Sequence, residues 1–503
     1  MEQALTTQIV LTTLNARYMH TAFGLRYLYA NMGELQPSTI IEEFTIQQRP
    51  IDIAEKLLQH QPEIIGFGVY IWNIEGVTKT IELIKQVSPK TVIVLGGPEV
   101  SHLPDKPAVV DIVDYVVMGA AEKSFCELCQ LILSGNKPLN CEIQSDELPL
   151  DQLQLPYEYY LEDDIKNRLI YVEASRGCPF KCEFCLSSLD KTAKPFELGL
   201  FLQEMDKLYQ RGARNFKFID RTFNLKVSSS VAILEFFLER LTDDLYLHFE
   251  VVPDNLADKL KHTIQKFPEH VLQFEIGVQT FDEKIQGLIS RKQNNKKTDE
   301  NLKWLREETH AYIHADLIFG LPSDTLENFS KSFDRLVSLN PHEIQLGILK
   351  RLRGVPLNRH NEKYALRYNP QAPYNILHTR DIDFKTMQRV NRFARYWDII
   401  ANSGRFKNTL PLILNDAAFD NFMRLSDSLY QTSGSTWKIS LKRLFALLFD
   451  HLKNSNDTSL VFETMQVDYL RTKERASFES VIYKKNKVAK IGIANKRQQQ
   501  MLR

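Results

Sequence analysis

The chain is poor in cysteine, has no excess of either charge and contains no long apolar run. Six cysteines in 503 residues do not make a disulfide framework, and so few thiols fit a reducing compartment. No stretch approaches the ~18 consecutive apolar residues of a membrane-spanning helix, so no membrane partner is expected. Met1 to Asn15 lacks the basic start, apolar core and cleavage site of a signal peptide, which makes the cytoplasm the expected location. Lys plus Arg and Asp plus Glu number 63 each, leaving no global field to draw nucleic acid or an anionic membrane. Only Lys484-Lys485-Asn486-Lys487 and Lys496-Arg497 are locally basic, as a solvated tail is.

What is present is ordinary for a globular protein: 43% hydrophobic and 25% charged residues. At about 100–200 residues per domain the length suggests three. The expected division is 1–135, a linker 136–166 rich in Pro, Asn, Asp and Glu, then 167–360 and 361–503. In the first region Ile9–Leu14, Ser38–Ile46, Ile64–Val69, Val92–Leu95 and Tyr115–Met118 read as buried strands. Leu25–Ala30, Ile51–Gln59, Val77–Val87 and Glu122–Leu133 read as helices between and after them. This α/β alternation predicts a parallel, doubly wound, Rossmann-like sheet with its ligand crevice at the strands' carboxyl ends. The turns at that edge are Asn15 to His20, Tyr70 to Asn73, Gly96 to Glu99 and Gly119 to Glu122. Cys126 and Cys129, beside Phe125 and Leu128 in the closing helix, read as small core residues.

From Asn167 strands and helices alternate again, with strands expected at Leu169–Ser175, Asn215–Asp220, Leu245–Val252, Leu272–Val278, Ala311–Phe319 and Glu343–Leu349. Such units predict a partial (βα)6 barrel, open on one side. The first strand runs into Arg176-Gly177-Cys178-Pro179-Phe180-Lys181-Cys182-Glu183-Phe184-Cys185, a C-x3-C-x2-C spacing at the edge where barrels keep their chemistry. An iron–sulfur cube tied by three thiolates keeps one iron open to another ligand. A structural zinc site completed by a histidine stays open as an alternative, although no second C-x2-C or H-x3-5-H lies nearby. Polar residues at the other strand ends, Asp220, Glu250, Asp254, Glu275, Gln279 and the run His314 to Pro322, are the expected first ring around a ligand. Arg351 to Pro356 is expected to seat a mainly helical third domain. There Asp381–Asn402 and Leu412–Phe449 read as helical, Phe393, Tyr396, Trp397 and Ile400 as a core stripe, and Phe478–Tyr483 as a strand.

The cysteine loop, with Glu173-Ala174-Ser175 before it and Asp220-Arg221-Thr222-Phe223-Asn224 after the second strand, resembles the radical S-adenosylmethionine superfamily. Gly96-Gly97-Pro98-Glu99 and Gly119-Ala120-Ala121-Glu122 resemble the cobalamin-binding domain ahead of many of its barrels. The whole is similar to bacterial proteins that join both to an extra C-terminal domain of unknown role. The resemblance implies a 4Fe-4S cluster on Cys178, Cys182 and Cys185, with S-adenosylmethionine on the open iron. Cleavage of its sulfonium bond then gives a 5′-deoxyadenosyl radical. It also implies that Asp220 supports the methionyl amino group, that Glu250 and Gln279, with Glu275 beside them, meet methionyl or ribose groups, and that Gly320 faces the adenine. Ile219-Asp220-Arg221 replaces the superfamily's usual Gly-Gly-Glu. Asn15, Tyr18, His20, Gly97, Glu99, Gly119 and Glu122 are the candidate cobalamin contacts. Tyr18 to Gly24 lacks the D-x-H-x-x-G that ligates cobalt, so His20 is not expected to hold the metal. The leading expectation is methyl transfer to an unreactive carbon of a small-molecule or peptide substrate, with flavodoxin or ferredoxin as electron donor. Rearrangement, cyclisation or oxidation without methyl transfer is the second, and a non-catalytic cobalamin or iron–sulfur binding protein the third.

Overall fold

The run Ile9–Asn15 (β1) is buried along its whole length, as a strand must be when helices cover both faces of its sheet. The computed structural model describes residues 7–483, so the basic stretches at Lys484 to Lys487 and Lys496-Arg497 lie outside it. The chain divides into two compact units, one ending at Gln388 and the other beginning at Arg389.

In the first unit, β1 is followed by α1 (Phe23–Ala30), β2 (Thr39–Thr45), α2 (Pro50–Gln59), β3 (Ile64–Gly68), α3 (Ile74–Val87), β4 (Val92–Gly96), β5 (Tyr115–Met118) and α4 (Glu122–Leu133). The strands pair in parallel in the order β2-β1-β3-β4-β5, extended by β6 (Glu142–Gln144). Apolar residues from the two faces form separate cores, one including Leu14, Ile65 and Ile81, the other Leu11, Val94 and Phe125. Cys129 lies in the second core, and the half-buried Cys126 donates from Sγ to the Met32 carbonyl. A short 3-10 turn, Ala108–Ile112, joins β4 to β5. One detail differs from the sequence expectation. The segment expected as a linker supplies β6 and α5 (Glu162–Asn167), and buries Tyr157 and Tyr160. Its burial rests on a few aromatic rings at irregular spacing, which leaves no periodic signal.

The second sheet runs through β7 (Ile170–Val172), then a small antiparallel pair, β8 (Ser175–Arg176) and β9 (Lys194–Pro195). It continues with α6 (Leu198–Gln210), β10 (Asn215–Phe218), α7 (Val227–Leu238), β11 (Tyr246–Val251), α8 (Asp258–Ile264) and β12 (Leu272–Gln279). After α9 (Glu283–Leu288) and α10 (Asn295–Glu308) come β13 (Tyr312–Phe319), α11 (Leu326–Ser338) and β14 (Glu343–Ile348). The order β14-β13-β12-β11-β10-β7 is parallel throughout and its ends do not pair, which makes a partial barrel. Along β12 and β13 burial alternates strictly: Phe274, Ile276 and Ala315 are buried, while Glu275, Gly277 and Asp316 alternate with them on the interior face. The barrel interior is therefore polar.

The strands β15 (Arg367–Tyr368) and β16 (Ile376–His378) also belong to this unit. Arg351 and Arg353 reach the loop after β4, Arg351 pairing with Asp105 at 2.5 Å and Arg353 with Glu99 at 2.8 Å, and both also touch Tyr374, in the segment after the barrel. The second unit is helical, from the end of α12 (Phe384–Ile400) through α13 (Leu410–Leu414), α14 (Ala418–Ser433), α15 (Leu441–Leu452), α16 (Thr458–Arg471) and α17 (Phe478–Ile482). Phe393, Tyr396, Trp397 and Ile400 are buried as expected. The strand expected at Phe478–Tyr483 is α17 instead. Ser477 Oγ accepts from the Ser480 N–H, and the Phe478 ring packs on Phe445, Phe462 and Tyr469, so a β-rich run with a helix cap and an all-helical neighbourhood coils. No described helix is long and apolar enough to cross a membrane.

Candidate active site

The cysteine loop leaves the sheet at β8 and returns at β9. Gly177 opens it at φ +93°, where a Cβ would lie 2.2 Å from the Thr192 carbonyl, so only glycine fits. The Cys178 N–H donates to the Asp190 carbonyl at 3.1 Å, and the Glu183 N–H to the Ile289 carbonyl at 2.9 Å. The Glu183 carboxylate, buried inside the turn, accepts from Ser290 Oγ at 2.6 Å and from Arg359 Nε at 3.0 Å, and lies 3.0 Å from His360 Nε2. Three thiols thus line one wall of a cavity of about 250 Å³. Burial raises the thiol pKa of Cys178 and of Cys182, and Arg291 Nη1, donating to Cys182 Sγ at 3.7 Å, opposes that rise. Among the described residues no three His, Cys, Asp or Glu side chains converge on a single-ion site. Three thiolates from one short loop would leave one iron of a 4Fe-4S cluster without a protein ligand.

The same cavity is lined by Glu250, Glu275 and Gln279, with Arg221 and Asp316. Glu250 accepts both bonds from Arg221 Nη1, at 2.7 and 2.9 Å. Burial works to raise the pKa of Glu275, but His248 at 3.0 Å and Lys217 at 3.4 Å overcome it and hold the group at about 2. Asp316 is raised by burial, and its Oδ1, 3.3 Å from His314 Nε2, has no hydrogen-bond partner. An orphaned buried acceptor beside a cysteine loop fits a ligand that brings hydroxyl or ammonium donors, as S-adenosylmethionine does. Two expected contacts lie elsewhere. Asp220 accepts from the Ala174 N–H at 2.9 Å and from Ser175 Oγ at 2.6 Å, so its carboxyl pins the strand before the loop and does not face the cavity. Gly320 packs behind β13, where an added Cβ would meet Ile376 at 2.8 Å.

A second cavity, of about 810 Å³, runs along the carboxyl edge of the first sheet and is closed on its far side by barrel residues. Asn15, His20, Gly97, Gly119 and Glu122 line it, as do Tyr70 and Trp72, whose rings stack 4.4 Å apart. Gly97 has φ +105°, and a Cβ there would lie 2.5 Å from the Val69 carbonyl, so bare backbone forms this part of the wall. A wide crevice with a glycine floor fits a large planar ligand such as a corrinoid. His20 is lowered in pKa by burial and by Lys217, Arg17 and Arg168, and its Nδ1 shares a 2.8 Å hydrogen bond with the Tyr171 hydroxyl. Among the described residues no carboxylate is hydrogen-bonded to it to orient a metal-binding tautomer. Two expected contacts face away. Glu99 is spent on Arg353, and Tyr18 is exposed under Arg168 with its hydroxyl donating to Asp163 at 2.6 Å. Arg176, at the head of the cysteine loop, donates to Glu122 at 2.8 Å and to Glu173 at 2.7 Å.

Arg221 lines both cavities. Asp316, within the run His314 to Pro322 expected around a ligand, lies inside β13, whereas Arg221 follows the residue to which the family resemblance points, Asp220, and has no role assigned from sequence. Arg291 comes from the connection between α9 and α10, where no periodic or motif signal singles it out.

Residues 9–129 match the B12 binding domain family, residues 172–336 the radical SAM superfamily, and residues 362–502 a family described as a protein of unknown function, DUF4080. An uncharacterized methyltransferase of Pyrococcus horikoshii is 27% identical over 42% of this chain and 50% of its own length. The cobalamin-dependent radical SAM methyltransferase TokK of Streptomyces tokunonensis is 24% identical over 70% of this chain and 56% of its own. The chain thus spans about half the length of the curated relatives it matches. Among solved structures, the radical S-adenosylmethionine methyltransferase TsrM of Kitasatospora setae, with tryptophan substrate and a SAM analog bound, shares the fold with a TM-score of 0.58. It is 16% identical, over 72% of this chain and 77% of that one. Three regions of the chain thus match, in order, the B12 binding domain family, the radical SAM superfamily and the DUF4080 family of unknown function.

Proposed function

We propose that this chain is a cobalamin-dependent radical S-adenosylmethionine enzyme that transfers a methyl group to an unreactive carbon of a small-molecule substrate. The observation that carries the reading is that the thiol-lined cavity and the glycine-floored cavity share one wall residue, Arg221, inside one compact unit. A substrate carbon placed beside Arg221 faces both. Cys178, Cys182 and Cys185 would hold the cluster, with Glu250, Glu275, Gln279 and Asp316 around the methionyl and ribose groups. Asn15, Gly97, Gly119 and Trp72 would surround the corrinoid. Bound there, the cofactors supply one-electron cleavage of the sulfonium and a transferable methyl group, while the protein orients them. Arg176 neutralises Glu122 and Glu173 on the cavity wall. Arg221 is held by Glu250 through Nη1, which fixes the orientation of the rest of its guanidinium at the junction.

Anaerobic reconstitution with iron, sulfide and cobalamin, followed by S-adenosylmethionine and dithionite, tests this. Formation of both 5′-deoxyadenosine and S-adenosylhomocysteine is expected, with loss of the first in Cys182→Ala. Formation of 5′-deoxyadenosine alone points to rearrangement, cyclisation or oxidation. An intact cluster that yields neither product makes the chain a binding protein.

A further inference from the structure

Arg176, Arg221 and Arg359, three arginines around the cysteine loop, each pair with a carboxylate: Glu122, Glu250 and Glu183 in turn. Arg291 bonds differently. Its Nη1 donates to Cys182 Sγ at 3.7 Å, its Nε to Gln293 Oε1 at 2.9 Å and its Nη2 to the Gly277 carbonyl. Two of these acceptors are amide oxygens, and the third is neutral for as long as the thiol keeps its proton. A half-buried cation among neutral acceptors is costly, and a thiolate at Cys182 offsets that cost.

The backbone fixes the arginine in this place. After α9 the Arg291 N–H donates to the Gln286 carbonyl at 2.9 Å, with Ser290 just before it at φ +53°. On the other side, the Gly277 carbonyl lies where the pairing of β12 with β13 shifts register. Anchored at Gln293 and Gly277, the planar guanidinium keeps Nη1 aimed at the sulfur before any metal arrives.

We propose that Arg291 is the positioning residue that sets the reduction potential of the cluster held by Cys178, Cys182 and Cys185. The inference rests on the cluster reading given above. A hydrogen bond to a ligand sulfur and a nearby positive charge both stabilise the more negative, reduced cube, so its potential rises. Arg291 supplies both at one corner. The cluster takes up its electron more readily and gives it to the sulfonium with less driving force, and no bond in this chain is made or broken.

The test is a mediator-controlled redox titration of the reconstituted protein without S-adenosylmethionine, followed by electron paramagnetic resonance. Arg291→Met, which keeps an apolar stem and removes the charge and the donors, is expected to lower the ratio of reduced to oxidised cluster about tenfold at a fixed solution potential, a shift of about 59 mV for one electron. Arg291→Gln should fall in the same direction, and Arg291→Lys, which keeps the charge, should recover most of the shift. The midpoint is a ratio, so it is read from whatever fraction of each variant holds iron. Equal midpoints in wild type and the two neutral variants overturn the proposal. So does a drop in Arg291→Lys as large as in Arg291→Met, which would make the loss a rearrangement of the loop, and so does loss of the cluster from both neutral variants. Unchanged midpoints with weaker binding of S-adenosylmethionine would assign Arg291 to that ligand instead. If wild type itself forms no iron–sulfur absorption, the cluster reading fails and takes this inference with it.

Discussion

Single carboxyl groups in the first unit divide into those given a cation and those denied water. Glu275 belongs to the first kind, while burial outweighs hydrogen bonding at Asp220, pushed up to about 7, and at Asp324, pushed up to about 8. Folding therefore takes up protons at these two sites between the ordinary carboxyl range and their folded values. In that window the unfolded chain binds fewer protons, so their contribution to stability falls as pH rises. Each pH unit over which a site is protonated only in the folded chain is worth about 1.4 kcal/mol, so the metal-free protein should resist urea better at pH 6 than at pH 9 by up to about 4 kcal/mol for the two sites together. Asp220→Asn, which keeps an acceptor for the Ala174 N–H, should flatten that dependence by its share, and a dependence unaltered in the variant would refute the assignment. Glu275 acts in the opposite direction, losing its contribution only as pH falls toward about 2.

Among elements, the cysteine loop depends on contacts far away in sequence. Glu183 is buried within the C-x2-C turn and gathers Ser290, Arg359 and His360, so the turn is tied to the connection after α9 and to the segment after β14. Glu183→Ala leaves His360 buried without its carboxylate and frees the turn, at a cost of roughly 3–5 kcal/mol. Iron bound per chain after reconstitution should drop severalfold, with Glu183→Gln intermediate because it still accepts from Ser290. Equal iron loading in all three proteins would show that the tie is irrelevant to the cluster. This tie explains what could be read from sequence and what could not. Strands such as Ile9–Asn15 and helices such as α3 carry their own period, and three thiols at close spacing state their chemistry without geometry. Glu183, Arg291 and Arg359 look like surface charges in one dimension, because their roles arise only when distant loops meet. Asp220 and Glu99 misled for the same reason: each sits at the expected strand edge, but the side chain is captured by a partner that no local pattern reveals.

For the first unit as a whole, function needs the two cavities held at one spacing, and two sets of buried ion pairs do this. Arg26 and Arg168 share Glu43 and Asp164 in a ring of contacts at 2.6 to 2.8 Å, joining the first sheet to the approach of β7. Arg353 pairs with Glu99 and Asp105 on the other side, its guanidinium over the Tyr374 ring. Buried pairs are little screened, so the spacing should survive high salt. Their net contribution to folding is small, because desolvation offsets attraction, whereas half a pair is costly. Arg353→Ala should therefore lose roughly 3–5 kcal/mol in urea denaturation, while Arg353→Met with Glu99→Leu should return to within about 1 kcal/mol of wild type. If the double variant is as unstable as the single, the charges themselves hold the two sheets together. If it recovers stability but binds cobalamin more weakly, the clasp sets the width of the glycine-floored cavity and not merely the fold around it.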